Sequence, residues 1–148
     1  MKKLFIISLL FSILFLNVAG MCSDENERPS TVRVNNLIAL ASQGTWRITS
    51  FINNESNKTS NFTGYNFTFG TNNIVTAVNS GNTVPGYWLV FNSNNNVLTF
   101  TTTFDSPVNF ADLNYDWEVA SSTATTIKLQ NISSTAGRSD YLTLEKNP

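Results

Sequence analysis

The chain has 148 residues, of which 41% are hydrophobic, 12% aromatic and 13% charged, and its formal net charge is −1. It contains no histidine and one cysteine, so a Ser-His-Asp or Cys-His nucleophile, a multi-cysteine zinc site and an intramolecular disulfide are all excluded in their usual forms. A slightly acidic chain offers no basic stripe for nucleic acid. We therefore expect no nucleic-acid partner, no cofactor, no metal and no enzymatic activity. The length of the chain suits a single domain.

Residues 1–21 have the pattern of an export signal. Two lysines precede an uncharged apolar run over residues 4–16, and the small residues Ala19 and Gly20 follow. A positive start, a short apolar region and small residues are typical of a secretory signal peptide. The run is short for a bilayer span, which needs about 20 apolar residues. We predict a cleaved signal peptide rather than a permanent membrane anchor.

The single cysteine, Cys22, stands directly after this leader and before the polar run Ser23-Asp24-Glu25-Asn26-Glu27. Here the sequence resembles bacterial lipoprotein precursors, in which such a cysteine is acylated and becomes the mature N-terminus. The acidic run is similar to the export tag of surface lipoproteins in the Bacteroidota. The resemblance implies lipidation at Cys22, attachment to a membrane through it, and a location at the outer membrane or cell surface. Met21 departs from the Gly, Ala or Ser that these precursors prefer, so cleavage after Gly20 is the alternative.

Residues 22–31 are polar and include Pro29, and we interpret them as a tether. A short helix is predicted next, with Ser30 or Thr31 as its cap. Apolar residues at the spacing of one buried helical face support it, namely Val34, Leu37, Ile38 and Ala41. Gly44 lies just past its end, where glycine is a common stop. The barrel domain is assigned to residues 32–148.

From Gly44 onward the apolar pattern has a period of two, and clusters of Asn, Ser, Gly and Thr interrupt it at short intervals. This alternation predicts an antiparallel meander. We count eight strands, at about 44–52, 63–69, 73–79, 84–92, 96–104, 115–121, 125–132 and 139–146. The connection at 105–114 differs, because Asp105-Ser106-Pro107 predicts a cap with proline at the first position of one helical turn.

Eight sequential antiparallel strands have two economical arrangements, an up-and-down barrel or a two-sheet sandwich. Near-neighbour connections favour the barrel, and closure removes exposed strand edges. We predict an all-β fold, namely an eight-stranded antiparallel up-and-down barrel with a short N-terminal helix and one helical turn before the sixth strand.

Gly44-Thr45-Trp46, directly after the short helix, resembles the opening Gly-x-Trp signature of lipocalins and related calycin barrels. Later segments resemble the small lipocalin-like domains of Bacteroidota lipoproteins, namely Gly64–Phe69, Gly86-Tyr87-Trp88, Tyr115–Val119 and Leu142–Lys146. The resemblance implies that Trp46 lies inside, near a barrel end covered by the helix. It also implies a basic residue over that Trp, and Lys146 is the candidate for this cation–π contact.

If Trp46 points inward, alternation places fourteen further residues inside: Ile48, Tyr65, Phe67, Phe69, Trp88, Val90, Leu98, Phe100, Trp117, Val119, Ile127, Leu129, Leu142 and Leu144. The strand at 86–91 is ambiguous, since Tyr87, Leu89 and Phe91 are equally apolar. An eight-stranded barrel is just wide enough to be filled by side chains or to hold one small ligand.

Two functions therefore remain open. The first is a lipid-anchored, lipocalin-like carrier of a small apolar ligand, with Tyr65, Trp88 and Trp117 as the candidate binding residues because they combine apolar area with a polar tip. The second is a non-catalytic structural or interaction lipoprotein with a filled core. The large volumes of the interior residues favour the filled core.

Within the predicted barrel domain, four carboxylates form an acidic cluster in the sequence, namely Asp105, Asp112, Asp116 and Glu118. Two carboxylates can serve as acid and base in glycoside hydrolysis. Alternation, however, directs Glu118 outward, and the spacing does not match an EF-hand calcium loop. We interpret these residues as solvated loop charges.

Overall fold

A single antiparallel sheet closes on itself around the apolar side chains. The structure is a computed structural model and describes residues 29–133 and 137–148. The strands are β1 (Trp46–Asn53), β2 (Ser56–Asn57), β3 (Asn66–Phe69), β4 (Ile74–Asn79), β5 (Asn82–Asn92), β6 (Leu98–Thr103), β7 (Asp116–Ser122), β8 (Thr126–Ser133) and β9 (Arg138–Lys146). Helix α1 (Pro29–Ala41) precedes β1, a first 3-10 helix (Thr59–Phe62) precedes β3, and a second (Val108–Leu113) precedes β7.

The order of the strands in the sheet shows that the barrel is complete. From β3 to β9 each strand pairs with the next, and β1 pairs with both β3 and β9. The two-residue β2 adds to the far end of β1 and takes no part in the closure. The predicted eight-stranded up-and-down barrel is confirmed, together with its N-terminal helix and the helical turn before the sixth barrel strand. A two-sheet sandwich is excluded, because one ladder of hydrogen bonds runs round the whole barrel.

Several local features differ from the expectations. The ends of the eight predicted strands are displaced by at most three residues, but β2 and the first 3-10 helix were not predicted. Helix α1 begins at Pro29, so Ser30 and Thr31 lie inside its first turn and are not its caps. The second 3-10 helix begins at Val108, and Pro107 occupies its N-cap position rather than its first turn. The proposed signal peptide, Cys22 and tether residues 22–28 lie outside the described residues.

Strand β1 contains a bulge that reverses its alternation. Ile48 pairs with Leu144 and Ser50 pairs with Thr143, so Thr49 is an extra residue between two successive pairs. Beyond this bulge Phe51, rather than Ser50, is buried in the barrel. A second bulge in β7 makes Ala120 the extra residue, since Val119 pairs with Leu129 and Ser121 with Lys128. An inserted residue shifts a period of two by one position, and the face that points inward then changes.

The seam between β1 and β3 is the short side of the barrel, with Trp46 opposite Phe67 as its one residue pair in the ladder. Farther along β1, where β3 no longer reaches, residues 58 and 59 after β2 form hydrogen bonds with the β1 backbone. The Phe51 N–H donates to Thr59 Oγ1 at 2.8 Å, and the Lys58 N–H donates to the Phe51 carbonyl oxygen at 2.8 Å. The first 3-10 helix therefore seals a side of β1 that β3 is too short to cover.

The close approach of β5 and the end of β6 requires a glycine. A Cβ at Gly86 would lie 2.6 Å from the Thr103 carbonyl oxygen and 2.5 Å from a ring carbon of Phe104. Real Cβ atoms do not approach other heavy atoms this closely, and both neighbours belong to the packed barrel wall. This contact explains the glycine of the Gly86-Tyr87-Trp88 segment.

Replacing Gly86 with alanine is expected to lower the free energy of unfolding by about 1–3 kcal/mol, because one strand must shift away from the other. Gly81→Ala is the comparison without a clash, since a Cβ there meets no atom within 4 Å and any loss of stability comes from its φ of +89° alone. Urea denaturation followed by tryptophan fluorescence measures both variants. The steric explanation is wrong if Gly86→Ala is as stable as the parent.

Candidate functional site

The end of the barrel next to α1 is closed by Trp46 and the residues around it. The Trp46 indole N–H donates to the Ala41 carbonyl oxygen at 2.9 Å, which fastens the last turn of α1 to the first barrel strand. Lys146 Nζ lies 5.9 Å from the centroid of the Trp46 ring, at the outer limit of a cation–π contact. Gly44 has a φ of +77°, and a Cβ there would lie 3.1 Å from the Lys146 side chain. Gly44, Trp46 and Lys146 therefore lie close together and close this end of the barrel.

The opposite end is filled by aromatic rings from both 3-10 helices. Phe110 is the centre of this aromatic plug and lies 5.3 Å from Phe62, 5.1 Å from Tyr65 and 5.0 Å from Phe104, measured between ring centroids. All three pairs meet edge to face, the arrangement that aromatic rings prefer. Entry to the interior from this end is therefore blocked by the chain's own side chains.

The interior between the two ends is packed. A cavity among the described side chains of the interior has a volume of about 10 Å³, which is about the least that admits one water molecule. Its lining consists of Thr102 and nine apolar side chains, namely Ile48, Phe67, Phe69, Phe100, Phe104, Leu113, Leu129, Leu142 and Leu144. A small apolar molecule needs a much larger space, because ligand pockets typically measure about 300–1,000 Å³.

The candidate binding residues Tyr65, Trp88 and Trp117 are themselves part of this packing. The Trp88 indole N–H donates to the Gly70 carbonyl oxygen at 2.8 Å, and the Trp117 indole N–H donates to that of Leu113 at 3.0 Å. Tyr65 is half-buried at the edge of the aromatic plug. The structure does not gather the three around one internal space, and the polar tips of both Trp side chains already have partners.

Of the fourteen residues predicted to lie inside, all but Tyr65 and Val119 are buried, and those two are half-buried. The predicted set missed the interior side chains that come from the 3-10 helices, from the bulged part of β1, from Phe104, and from Val75, Ala77 and Val84 on β4 and β5. It also missed Asp140, although the spacing contained a signal. Asp140 is in phase with Leu142 and Leu144, so it faces inward on β9.

Asp140 is fully buried and is part of an ion pair near the plugged end. Its Oδ2 accepts a hydrogen bond from Arg138 Nε at 2.6 Å, and its Oδ1 accepts one from the Asn54 N–H at 2.7 Å. The Arg138 guanidinium donates to Asn53 Oδ1 at 3.0 Å and lies 5.0 Å from the centroid of the Tyr115 ring. This Arg138–Asp140 clasp connects β9 to the turn after β1 and to the start of β7.

Charge in the clasp is stabilised by its neighbours. Partial burial alone would lower the pKa of Arg138, but the hydrogen bond and the attraction to Asp140, with a smaller contribution from Tyr115, raise it on balance above the usual arginine value. The guanidinium therefore stays protonated. Both oxygens of Asp140 and the Nε and Nη2 groups of Arg138 have protein partners, and this is the arrangement of a structural ion pair rather than of a catalytic acid.

The four carboxylates of the predicted acidic cluster do not assemble into a site. Asp105, Asp116 and Glu118 are exposed and Asp112 is half-buried. Asp116 accepts a hydrogen bond from Thr101 Oγ1 at 2.6 Å on the outer wall. Within residues 29–133 and 137–148, no three carboxylate or thiol groups lie close enough together to hold a metal ion.

An open groove lies on the outer wall instead, across β5 and β6. It has a volume of about 260 Å³ and is lined by Asn73, Tyr87, Trp88, Leu89, Thr101 and Thr103. We call it the outer-wall groove. Tyr87 is 63% exposed and Leu89 is 48% exposed. Two successive outward-facing positions of β5 therefore expose large side chains. The ambiguous apolar pattern of residues 86–91 was the signal for it, since both faces of β5 carry large side chains.

Comparison with protein-family models, with curated proteins and with solved structures finds no match to this chain. In the part of the chain that the structure describes, no helix combines the length and the apolar character needed to cross a bilayer.

Proposed function

We propose that this protein is an exported, lipid-anchored interaction module, non-catalytic, whose solid barrel binds partners on its outside. The observation that carries the proposal is the internal cavity of about 10 Å³. A barrel this full supports the second of the two functions considered from the sequence, because a carrier would need an open lumen. The resemblance to lipocalin-like domains of bacterial lipoproteins then concerns the architecture and not the transport of a ligand.

The anchoring part of the proposal depends on the leader and on Cys22. A diacyl-modified cysteine supplies the two chains that stable attachment requires, so the barrel itself need not enter the membrane. Helix α1 begins at Pro29, seven positions after Cys22. Anchoring there would direct the α1 end of the barrel toward the bilayer. The plugged end and the outer-wall groove would then face away from it or sideways, where a partner can reach them.

The mass of the intact protein extracted from membranes tests the anchoring. We expect the mass of a chain that begins at Cys22 and carries acyl groups, and we expect Cys22→Ala to abolish both the added mass and the membrane association. Ser23→Ala is the matched control, since it changes the next residue without removing the thiol. A mass that corresponds to cleavage after Gly20 without acylation would contradict lipidation.

A titration with apolar probes tests the filled core. The membrane-reconstituted protein is titrated with a fatty acid, a retinoid-like dye and haem while tryptophan fluorescence is recorded, with protein-free vesicles as the blank. We expect no saturable response, because the internal cavity lined by the described residues is far too small for these molecules. A saturable response with one probe molecule per barrel would overturn the proposal and restore the carrier hypothesis.

A further inference from the structure

We propose that Asn57 is a modification site, at which an oligosaccharide is transferred to the side-chain nitrogen from a lipid-diphosphate donor after export. The triplet Asn-x-Ser/Thr, with any residue but proline in the middle, is the acceptor sequence for this modification in exported proteins. The chain contains five such triplets, which begin at Asn54, Asn57, Asn61, Asn66 and Asn131. The inference rests on the proposed function in one respect, export, and it adds a covalent modification and its position.

Four of the five triplets lie in one segment, residues 54–68, which runs from the turn after β1 through β2 and the first 3-10 helix to β3. A chain rich in Asn and Thr contains such triplets by composition alone, so the structure has to distinguish between them. Two requirements apply. A transferase must be able to hold the triplet, and the attached sugar must extend into solvent without displacing packed groups.

Two of the triplets belong to the barrel wall. Asn66 Oδ1 already accepts a hydrogen bond from Asn147 Nδ2 at 2.7 Å, and Phe67, the next residue, is buried in the barrel. Asn131 lies on β8, where it pairs with Asp140 and is half-buried. A transferase that holds the whole triplet would have to pull a strand out of the sheet at either position.

Two other triplets are constrained near the plugged end. Phe62, the residue after Asn61, is 1% exposed and belongs to the aromatic plug. Asn54 and Glu55 form a tight turn with φ values of 47° and 65°, and the Asn54 N–H donates to Asp140 Oδ1 at 2.7 Å. Among the described residues, no hydrogen bond connects the asparagine of either triplet to the third residue of that triplet.

The remaining triplet is arranged differently. Asn57 is exposed at the end of β2, and its Oδ1 accepts a hydrogen bond from the Thr59 N–H at 3.0 Å. This bond holds the first and third residues of the triplet together. It also stabilises the negative charge that gathers on the amide oxygen when the amide nitrogen loses a proton, so it favours the nucleophilic form. Within the described part of the chain, no acceptor is bonded to Asn57 Nδ2.

The strand β1 fixes the other two residues of this triplet. The Phe51 N–H donates to Thr59 Oγ1 at 2.8 Å, and the Lys58 N–H donates to the Phe51 carbonyl oxygen at 2.8 Å. Thr59 Oγ1 acts as an acceptor in this contact, so the hydroxyl keeps its own proton for a hydrogen bond to the transferase. The backbone of β1 thus presents the triplet with its asparagine toward solvent.

The transfer forms one bond and breaks one. Asn57 Nδ2 attacks the anomeric carbon of the donor sugar, and the bond between that carbon and the diphosphate oxygen breaks. The lipid diphosphate leaves with the electron pair, and a base of the transferase takes the Nδ2 proton. Nothing is oxidised or reduced.

The position of Asn57 gives the sugar room. Asn57 pairs with Ile52 near the far end of β1, which is the plugged end of the barrel. If Cys22 anchors the chain, the α1 end faces the bilayer, and the sugar extends away from it. The glycan would then cover the end of the barrel that the aromatic plug closes.

The test is peptide mapping by mass spectrometry on the full-length protein from membranes of the cells that naturally produce it. Trypsin cleaves after Arg47 and Lys58, so residues 48–58 form one peptide that contains Asn54 and Asn57 but not Asn61. We expect this peptide to carry the added mass of hexose or N-acetylhexosamine units. An amidase that cleaves the sugar–asparagine bond should remove this mass and leave an aspartate.

Variants then locate the acceptor. Asn57→Gln should abolish the added mass on the peptide, and Thr59→Ala should do the same because the triplet is lost. Thr59→Ser keeps the hydroxyl and should restore the modification. Asn54→Gln is the matched control, since it removes the neighbouring triplet from the same peptide, and it should leave the modification unchanged. Circular dichroism confirms that each variant is folded.

Three results would overturn the inference: a peptide of residues 48–58 without added sugar, a sugar that remains in Asn57→Gln, or a sugar that only Asn54→Gln removes. The proposed function fails through other measurements, namely the acyl groups on the N-terminal peptide and the titration with apolar probes. A lipidated, solid barrel without sugar at Asn57 would therefore refute this inference alone.

Discussion

Replacing Asp140 with alanine is expected to lower the free energy of unfolding by about 3 kcal/mol, near the lower end of the cost of breaking a buried ion pair because Arg138 remains partly exposed. The substitution removes the acceptor for Arg138 Nε and for the Asn54 N–H together. Since small domains are stable by about 5–15 kcal/mol in total, the effect should be plain in urea denaturation followed by tryptophan fluorescence.

The exposed ion pair of the same barrel provides the control. Arg47 and Glu145 also join two paired strands, at 2.9 Å, but their side chains are 43% and 40% exposed. Glu145→Ala should therefore cost less than about 1 kcal/mol, because water screens and replaces the interaction. Asp140→Asn keeps an acceptor in place, so its loss of unfolding free energy should lie between those of Asp140→Ala and Glu145→Ala. Equal losses for Asp140→Ala and Glu145→Ala would refute the special role of the buried clasp.

The pKa of Arg138 determines how the clasp responds to base. A pKa raised by folding means that the stabilisation from the charged guanidinium is complete below the unfolded-state pKa of arginine and is lost only when the pH rises through the folded value. Both lie above the range in which proteins are ordinarily handled. Raising the pH from neutral to 9 should therefore leave the difference in unfolding free energy between Asp140→Ala and the parent unchanged.

Phe110→Ala should have a comparable or larger effect, a loss of about 3–5 kcal/mol. Phe110 is fully buried, and its ring contacts four other rings, those of Phe62, Tyr65, Phe67 and Phe104. Its removal takes away the centre of the aromatic plug, and the neighbouring rings come from separate elements that cannot all move inward to fill the space.

Val108→Ala is the control for this change, since Val108 belongs to the same 3-10 helix but is 88% exposed. It should change the unfolding free energy by no more than about 0.5 kcal/mol. A cavity lined by apolar rings stays dry and accepts small apolar molecules. Benzene should therefore stabilise Phe110→Ala and leave Val108→Ala and the parent unaffected. Near-identical stabilities of the two variants would show that the plug is not a structural element.

The order of the barrel strands was predictable because the pattern that specifies them is local. Most of the strands alternate apolar and polar residues, and clusters of Asn, Ser, Gly and Thr mark the turns between them. Helix α1 was predictable for the same reason, since Leu37 and Ala41 recur at helical spacing and are its buried residues.

The failures occur where a long-range contact overrides the local pattern. Nothing near Thr49 in the sequence marks a bulge, and the bulge exists because β1 must match β9 on one side while Phe51 turns into the plug. The first 3-10 helix is likewise fixed by β3, which is too short to cover β1 and leaves the Phe51 N–H to Thr59. Such residues are placed by partners that are far away in the chain.

The same distinction separates the architecture from the candidate site. The sequence alone determined that apolar and polar side chains alternate on the strands, and the near-neighbour order of those strands favoured a closed barrel over a two-sheet sandwich. Only the tertiary structure decided that the lumen is full, because the filling rings come from two short helices whose positions depend on how the ends of the barrel close. For the same reason the large outward side chains of β5 became a groove only when β4 and β6 were paired on either side of them.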